Sequence, residues 1–249
     1  MPDGEKVALI TGAGRGLGRA TAEALAADGM ALFLVDVRAD LLAETAAVLT
    51  AKGARVETHV ADIAERSRCF AAVDAAIGAY GRLDVLCNVA GIVRFNHATE
   101  VPEAEWNLIF AINASAPFWF CQAAIPHLLK TGGNIVNVAS QAAKLGTAYI
   151  VPYSASKGAL MQMTKSLAME YVDSPIRINA VAPGTMVTGI GEGVVRPEGI
   201  DDTLMARYSG RRPPNDPAEV AALIAFVASD RASAIHGAVL HADGGATTG

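Results

Sequence analysis

The sequence predicts an α/β fold, a doubly wound parallel seven-stranded sheet in one domain spanning residues 1–249, and three observations carry the prediction. Short apolar runs recur at 7–10, 31–35, 55–60, 83–87, 134–139, 176–181 and near 237–241. Helix-length amphipathic stretches separate them, and this alternation demands crossover connections with helices on both faces of a parallel sheet. The first run opens into a glycine-rich turn and an alanine-rich helix. Continuous apolar character along the strands implies burial on both faces. With 52% hydrophobic and 18% charged residues in 249, the composition suits one domain with a full core and excludes disorder.

The first strand, Val7-Ala8-Leu9-Ile10, runs into Thr11-Gly12-Ala13-Gly14-Arg15-Gly16-Leu17-Gly18. Glycines at these positions permit a tight turn, close approach of backbone to a pyrophosphate and close helix–strand packing, while the helix N-terminus adds N–H groups and a positive dipole end. The pattern is TGxxxGxG, a variant of the dinucleotide fingerprint, and Gly12, Arg15, Gly16, Leu17 and Gly18 are its candidate cofactor contacts. The second strand, 31–35, ends at Asp36. A carboxylate there can accept hydrogen bonds from an adenosine ribose and would repel a 2′-phosphate, which favours NAD over NADP. Arg15 and Arg38 keep NADP open as the less favoured alternative, since Arg15 could reach a 2′-phosphate in competition with Asp36.

Later elements place more polar residues at the carboxyl ends of strands, where ligands of such sheets bind. Asp62 follows the third strand and suits the N-cap of a segment beginning at Ile63–Ser67. Asn88 follows the fourth and suits a turn that holds its loop against the cofactor. A long helical segment from about Pro102 to Leu129 carries Asn113 with Pro117 four residues on. Proline has no N–H and crowds the carbonyl four residues earlier, so the Asn113 C=O is freed for a water and the helix kinks; a merely kinked core helix is the alternative. Ser140 ends the strand Asn134–Ala139, and Pro183-Gly184 follow the sixth strand. Tyr153 and Lys157 are one helical turn apart and share a face. A cation about 5 Å from a phenol at an effective dielectric of about 20 contributes roughly 3 kcal/mol, or about 2 units off a pKa near 10. By itself YxxxK is more simply a half-buried Tyr beside a solvated Lys; the glycine turn gives it a chemical setting. Asp216-Pro217-Ala218-Glu219 reads as an N-cap, N1 proline and N3 glutamate opening a helix.

Several function classes are excluded. The net charge of −5 argues against nucleic acid, the only basic cluster being Arg211-Arg212 in a proline-containing loop. Ser140 has no GxSxG elbow and no histidine placed to serve it, so serine hydrolysis fails. Cys69, Cys87 and Cys121 are odd in number and set in apolar sequence, as reduced core residues of an intracellular protein are, and the five histidines form no ligating pair, so no metal site is expected. The N-terminus lacks a basic n-region, and the longest uninterrupted apolar run, Val220–Ala228, is too short for the ~20 residues of a membrane helix. A cytoplasmic location without a membrane partner is the expectation.

TGxxxGxG at 11–18, Asp62 after a strand, Asn88-Val89-Ala90-Gly91, Asn113, Ser140, YxxxK at 153–157 and Pro183-Gly184 with Thr188 occur in an order that resembles the short-chain dehydrogenase/reductase family, from Val7 to about Gly245. One departure is Val89, where the family's Asn-Asn-Ala-Gly has a second asparagine. The resemblance implies a Rossmann sheet and hydride transfer between NAD(H) and a small secondary alcohol or ketone. It makes Tyr153 the acid–base, Ser140 the group that orients the substrate oxygen, Lys157 the holder of the nicotinamide ribose, and Asn113 the end of a relay to a water. It assigns Asp62 and Ile63 to the adenine side, Asn88, Ala90 and Gly91 to the middle of the cofactor, and Pro183, Gly184, Met186 and Thr188 to the nicotinamide, with Thr188 on the carboxamide. It also implies a homodimer or homotetramer paired through the helices at 102–129 and 153–171. An NADPH-dependent 3-oxoacyl-thioester (acyl carrier protein) reductase shares every catalytic residue and is opposed by Asp36. A non-catalytic dinucleotide sensor is opposed by the presence together of Asn113, Ser140, Tyr153 and Lys157. The glycine-rich stretch from about Met186 to Arg212 reads as a mobile substrate lid. Arg94, His97, Gln141 and Tyr149 read as loop surface rather than substrate ligands.

Overall fold

Strands Val7–Thr11 (β1), Ala31–Asp36 (β2), Val56–Val60 (β3), Val85–Asn88 (β4), Asn134–Val138 (β5), Arg177–Pro183 (β6) and Val239–Ala242 (β7) form one sheet in a computed structural model that describes residues 4–187, 195–208 and 212–248. Every neighbouring pair is parallel, in the order β3-β2-β1-β4-β5-β6-β7. The chain lays down β1 to β3 in one direction and returns beside β1 with β4, which opens a crevice at the carboxyl ends of β1 and β4.

The helices divide between the two faces. Gly16–Ala27 (α1), Ala39–Ala51 (α2) and Pro217–Ala228 (α8) cover one core layer, in which Leu17, Leu25, Leu42, Leu49 and Ile224 meet Ile10, Leu32, Leu34 and Val136. Arg66–Tyr80 (α3), Ala116–Thr131 (α5) and Val151–Glu170 (α6) cover the other, where Cys69, Val73, Phe120, Leu128 and Ala168 meet Leu9, Phe33, Leu86 and Ile178. Two shorter helices are Glu103–Phe110 (α4) and Asp202–Ala206 (α7). α8 begins as its sequence predicts, with the Asp216 side chain accepting from Ala218 N–H at 2.8 Å and the Glu219 side chain accepting from Asp216 N–H at 3.1 Å.

Three expectations need correction. Burial on both faces holds for β1 and β2 but not for β3, an edge strand whose Val60 is 55% exposed. Its sequence, Val-Glu-Thr-His-Val, fits a strand paired on one side only. The helix expected from 102 to 129 is interrupted by a π-helical turn at Ala111–Ser115, where Ala116 N–H reaches back five residues to the Ala111 carbonyl. That turn absorbs the lost partner at Pro117 by widening. The run Glu103–Thr131 is also, with a mean hydropathy of 1.5 over its apolar window, long and apolar enough to cross a membrane, a property the sequence expectation gave to no segment. Phe120, Cys121, Ala124, Ile125 and Leu128 of this run are built into the core.

Candidate active site

At the crevice, β1 and α1 approach so closely that two positions require glycine. Gly12 has φ +68°, and a Cβ there would stand 2.8 Å from Ala90 Cα. Gly18 lies in the first turn of α1, and its Cβ would fall 1.9 Å from the Gly12 carbonyl oxygen. That first turn has no side-chain cap and no acidic residue, while Gly16, Leu17 and Gly18 line a cavity of about 330 Å³. An anion such as a pyrophosphate would satisfy the N–H groups and the dipole end there.

Asp36 is a strut between this turn and the next loop. Its Oδ2 accepts from Gly14 N–H and its Oδ1 from Arg38 N–H, both at 2.9 Å, and it lines the same cavity. The Arg38 guanidinium is turned to Asp40, at 2.7 and 3.1 Å. Arg15 lines the cavity too, as do Asp62 and Ile63. Asp62 Oδ1 accepts from Ala64 N–H at 3.0 Å and so closes a turn; α3 begins later, at Arg66, with Glu65 as its N-cap, which corrects the expected helix start.

The loop after β4 is held by Thr11, which opens the TGxxxGxG run and to which the sequence reading gave no role of its own. Thr11 Oγ1 accepts from Val89 N–H at 3.0 Å and from Ala90 N–H at 3.1 Å. Val89, Ala90 and Gly91 line the cavity, whereas Asn88 does not. The pleat turns its amide into the core, where Nδ2 donates to Asn137 Oδ1 at 2.8 Å, and Asn137 in turn donates to Thr164 Oγ1 at 3.0 Å. The Asn88 side chain thus belongs to a buried polar ladder. The available signal was the hydroxyl of Thr11 at the end of β1.

Asn113, wholly buried in the π-turn, also lies behind the cavity wall. Its Oδ1 accepts from Ile92 N–H and its Nδ2 donates to the Ile92 carbonyl, both at 2.9 Å, with a further bond to Ser156 Oγ at 3.1 Å. A Cβ on Gly91 would be 3.3 Å from both Asn113 Oδ1 and Lys157 Nζ, so the loop threads between them. Ser140, Tyr153 and Lys157 reach the cavity from the end of β5 and from α6, and none is more than 8% exposed. Ser140 Oγ accepts from Ala142 N–H at 3.1 Å. Lys157 Nζ donates to the Val138 carbonyl at 2.7 Å and stands 6.0 Å from the centre of the Tyr153 ring. Pro183, Gly184 and Met186 complete the wall; Thr188 lies outside the described residues.

The charges in the ligand-free protein differ from the expected ones. Burial pushes the Tyr153 phenol well above its ordinary value, Tyr208 adds to the rise, and the hydrogen bond with Ser140 opposes it. Burial likewise brings Lys157 down to about 8. A buried ammonium with one carbonyl partner is costly to charge, so it does not give the phenol the stabilisation that a fully charged neighbour would. The pH dependence follows. Between about 8 and the ordinary 10.5, Lys157 is neutral in the folded chain and protonated in the unfolded one, so the unfolded state binds more protons and stability rises with pH. Urea midpoints measured across this window for wild type and Lys157→Met are expected to show the wild type gaining on the variant as pH rises; parallel curves would mean that the ammonium is not desolvated.

The residues expected to be loop surface hold the stretch 195–208 in place. His97 Nε2 bonds the Glu198 carbonyl at 2.8 Å, Tyr149 Oη accepts from Asp201 N–H at 2.9 Å, and Gln141 Nε2 donates to the Tyr208 carbonyl at 2.7 Å. Gln141 is wholly buried, and Tyr149 takes φ +66°. Arg94 lines the cavity. The remainder of the expected lid, 188–194 and 209–211, lies outside the described residues. Among the described residues no group of three or more His, Cys, Asp or Glu could hold a metal ion.

Comparison with known proteins agrees with this arrangement. A family profile described as "Enoyl-(Acyl carrier protein) reductase" matches residues 12–247. The D-threitol dehydrogenase of Mycolicibacterium smegmatis is 37% identical over 243 residues, covering 97% of this chain and 93% of that protein. The 3-oxoacyl-[acyl-carrier-protein] reductase FabG of Thermotoga maritima is 35% identical over 242 residues, with 96% and 97% covered. A crystal structure of a short chain dehydrogenase from Mycobacterium paratuberculosis bound to NAD superposes with a TM-score of 0.90 at 26% identity, covering 98% of each chain.

Proposed function

We propose that this chain, which belongs to the short-chain dehydrogenase/reductase family, interconverts a small secondary alcohol and its ketone with NAD(H), using Tyr153 as the acid–base. The observation that carries this reading is the convergence of Ser140, Tyr153 and Lys157 on the cavity that the glycine turn and Asp36 also line. The likeness to a threitol dehydrogenase supports a small polar alcohol as substrate.

The glycine turn and the N-terminus of α1 would hold the pyrophosphate, Asp36 the adenosine ribose, Asp62 and Ile63 the adenine side, and Lys157 the nicotinamide ribose. When bound, the cofactor supplies the hydride acceptor and, once oxidised, a positive charge beside the phenol. Tyr153 exchanges a proton with the substrate oxygen as that oxygen passes between hydroxyl and carbonyl, and Ser140 donates to the same oxygen and orients it. The depth of the site excludes bulk water from the phenol, and this burial raises its pKa. Asn113 acts from behind the wall by fixing Ile92 and Ser156, while its main-chain carbonyl faces no N–H from Pro117.

A second reading, an NADPH-dependent 3-oxoacyl-thioester reductase, is favoured by the likeness to the Thermotoga maritima reductase. The Asp36 carboxylate separates the two, since it is held toward the glycine turn where a 2′-phosphate would lie, with Arg38 drawn off by Asp40. The test is reduced-nicotinamide absorbance with a panel of secondary alcohols and vicinal diols, and with a 3-oxoacyl thioester, each with NAD(H) and NADP(H). Turnover of alcohols with kcat/KM at least about tenfold higher for NAD is expected from one mismatched charge. Turnover of the thioester with NADPH alone would replace the first reading by the second.

A further inference from the structure

Arg94 lines the same cavity as Ser140 and Tyr153, and no step of the reaction above uses it. The loop that carries it is pinned on both sides. Before it, the Asn113 amide clasps the N–H and carbonyl of Ile92, both at 2.9 Å. After it, Asn96 N–H donates to the Tyr149 carbonyl at 2.9 Å and the Asn96 side chain donates to Glu105 Oε1 at 2.6 Å, while the His97 ring bonds the Glu198 carbonyl. Between these anchors Val93 is buried in a cluster with Ala142, Ile150 and Tyr153, and Phe95 packs against the same cluster. Both neighbours are thus committed to the Tyr153 end of the site, and Arg94 stands between them, half-buried and on the cavity wall.

Arg94 faces no acid. Among the described residues its one polar contact runs from Nη1 to the adjacent Val93 carbonyl, at 2.9 Å. A guanidinium has five N–H groups, so Nε–H and the Nη2 hydrogens, the edge that grips a carboxylate with two parallel bonds, are unclaimed. Arg19, Arg38 and Arg82, by contrast, each reach an acid, at Glu44, Asp40 and Asp84. The acids that line the cavity, Asp36 and Asp62, follow β2 and β3, across β1 from the strand that leads to Arg94, and both accept from loop N–H groups. A partly desolvated cation, fixed by its loop and open along its gripping edge, is complementary to an anion. The pyrophosphate has its own place at the first turn of α1, whereas Arg94 is tied through Val93 to the Tyr153 end. Lys157, the other cation there, is engaged by the Val138 carbonyl. A single open guanidinium suits a carboxylate better than a phosphate dianion.

We propose that Arg94 is a substrate-recognition residue for a carboxylate, so that the alcohol oxidised at this site is a small hydroxy acid and its product the corresponding oxo acid. The proposal rests on the alcohol–ketone reading above and narrows its substrate class. The carbinol C–H leaves as hydride to the nicotinamide, the O–H proton passes to Tyr153, and the carboxylate on Arg94 is unchanged.

The experiment compares wild type, Arg94→Met and Arg94→Lys on matched pairs in which a carboxylate is exchanged for a hydroxymethyl group: 2-hydroxybutanoate with 1,2-butanediol, 3-hydroxybutanoate with 1,3-butanediol, and 4-hydroxypentanoate with 1,4-pentanediol. In the wild type, kcat/KM for the best acid is expected to exceed that for its diol by at least about thirtyfold. Arg94→Met is expected to lower the value for the acid by about a hundredfold, mostly through KM, and that for the diol by less than about threefold, with KM for NAD unchanged. Arg94→Lys keeps the charge without the fork and is expected to fall between them. Equal use of acid and diol by the wild type, or equal losses for both in Arg94→Met, would overturn the proposal. Weakened NAD binding in Arg94→Met would overturn it too, by giving Arg94 to the cofactor. Calorimetry of the matching oxo acids on NAD-saturated protein, where no hydride is available, reads the site without turnover: binding at least about tenfold weaker in Arg94→Met is expected, and equal binding to both proteins would overturn the proposal. Absence of turnover with every pair while this binding contrast holds would count against the alcohol–ketone reading and still support the carboxylate site.

Discussion

Tyr153→Phe is expected to lower kcat by about a thousandfold, near the middle of the range that a positioned acid–base contributes, while leaving the dissociation constant for NAD within about twofold. The argument starts from burial. Tyr153 is 8% exposed, its ring packs against Val93, Ala142 and Ile150, and phenylalanine fills the same space, so cavity and strain costs are absent. The substitution removes only the phenolic hydroxyl. The groups that would hold the dinucleotide, the glycine turn and Asp36, lie on β1, α1 and β2 and are untouched. Single-turnover absorbance gives the rate and nucleotide fluorescence the affinity. A kcat within about tenfold of wild type would mean that another group moves the proton; lost NAD binding would mean that Tyr153 is chiefly a wall of the cofactor site.

The second large effect concerns Gly18→Ala, expected to cost at least about 3 kcal/mol of stability and to weaken NAD binding by more than about a hundredfold. The new methyl would lie 1.9 Å from the Gly12 carbonyl oxygen and 2.5 Å from its carbon. Both are backbone atoms, so no rotamer change relieves the clash; α1 must swing off β1 or the turn must open. Either movement withdraws the N–H groups from the position of a pyrophosphate. Gly78→Ala is the control. Gly78 sits in α3, a Cβ there meets nothing within 4 Å, and the change is expected to stabilise by about 0.5–1 kcal/mol through helix propensity. Urea midpoints and nucleotide titrations of the two variants test the contrast, and similar behaviour of both would sink the close-packing account.

The contrast between these glycines also explains what was legible in the sequence. The β1–turn–α1 unit is local, its constraints lie within a dozen residues, and apolar runs with glycine punctuation disclose it. The other core strands followed from the same apolar continuity. The edge position of β3 follows from strand order, a long-range property, and the polar Glu57, Thr58 and His59 between its valines are its only local trace. Residue type likewise placed Asn88 near the cofactor, but the pleat decides which way a side chain points, and Asn88 points to Asn137. Thr11 opens the glycine motif, but its task is not legible there because its partners, the amides of 89 and 90, are distant in sequence. The helix does bring Lys157 beside the Tyr153 ring, as the four-residue spacing implies. Desolvation then outweighs the attraction between them, and it depends on what distant parts of the chain pack over both groups.

The π-turn at Ala111–Ser115 acts on the phase of everything around it. An α-helix advances about 100° per residue, so one surplus residue offsets the angular index of α4 from that of α5 by about that amount. Phe120, Cys121 and Ala124 can therefore face the sheet while Trp106 and Leu108, upstream of the turn, stand 40% and 41% exposed on an outer surface. Asn113 falls at the seam between the two indexings, where its amide clasps Ile92 and touches Ser156. The length of this segment is thus as much a part of the site as any of its side chains: a chain shorter by one residue there would keep every motif and aim them along different bearings.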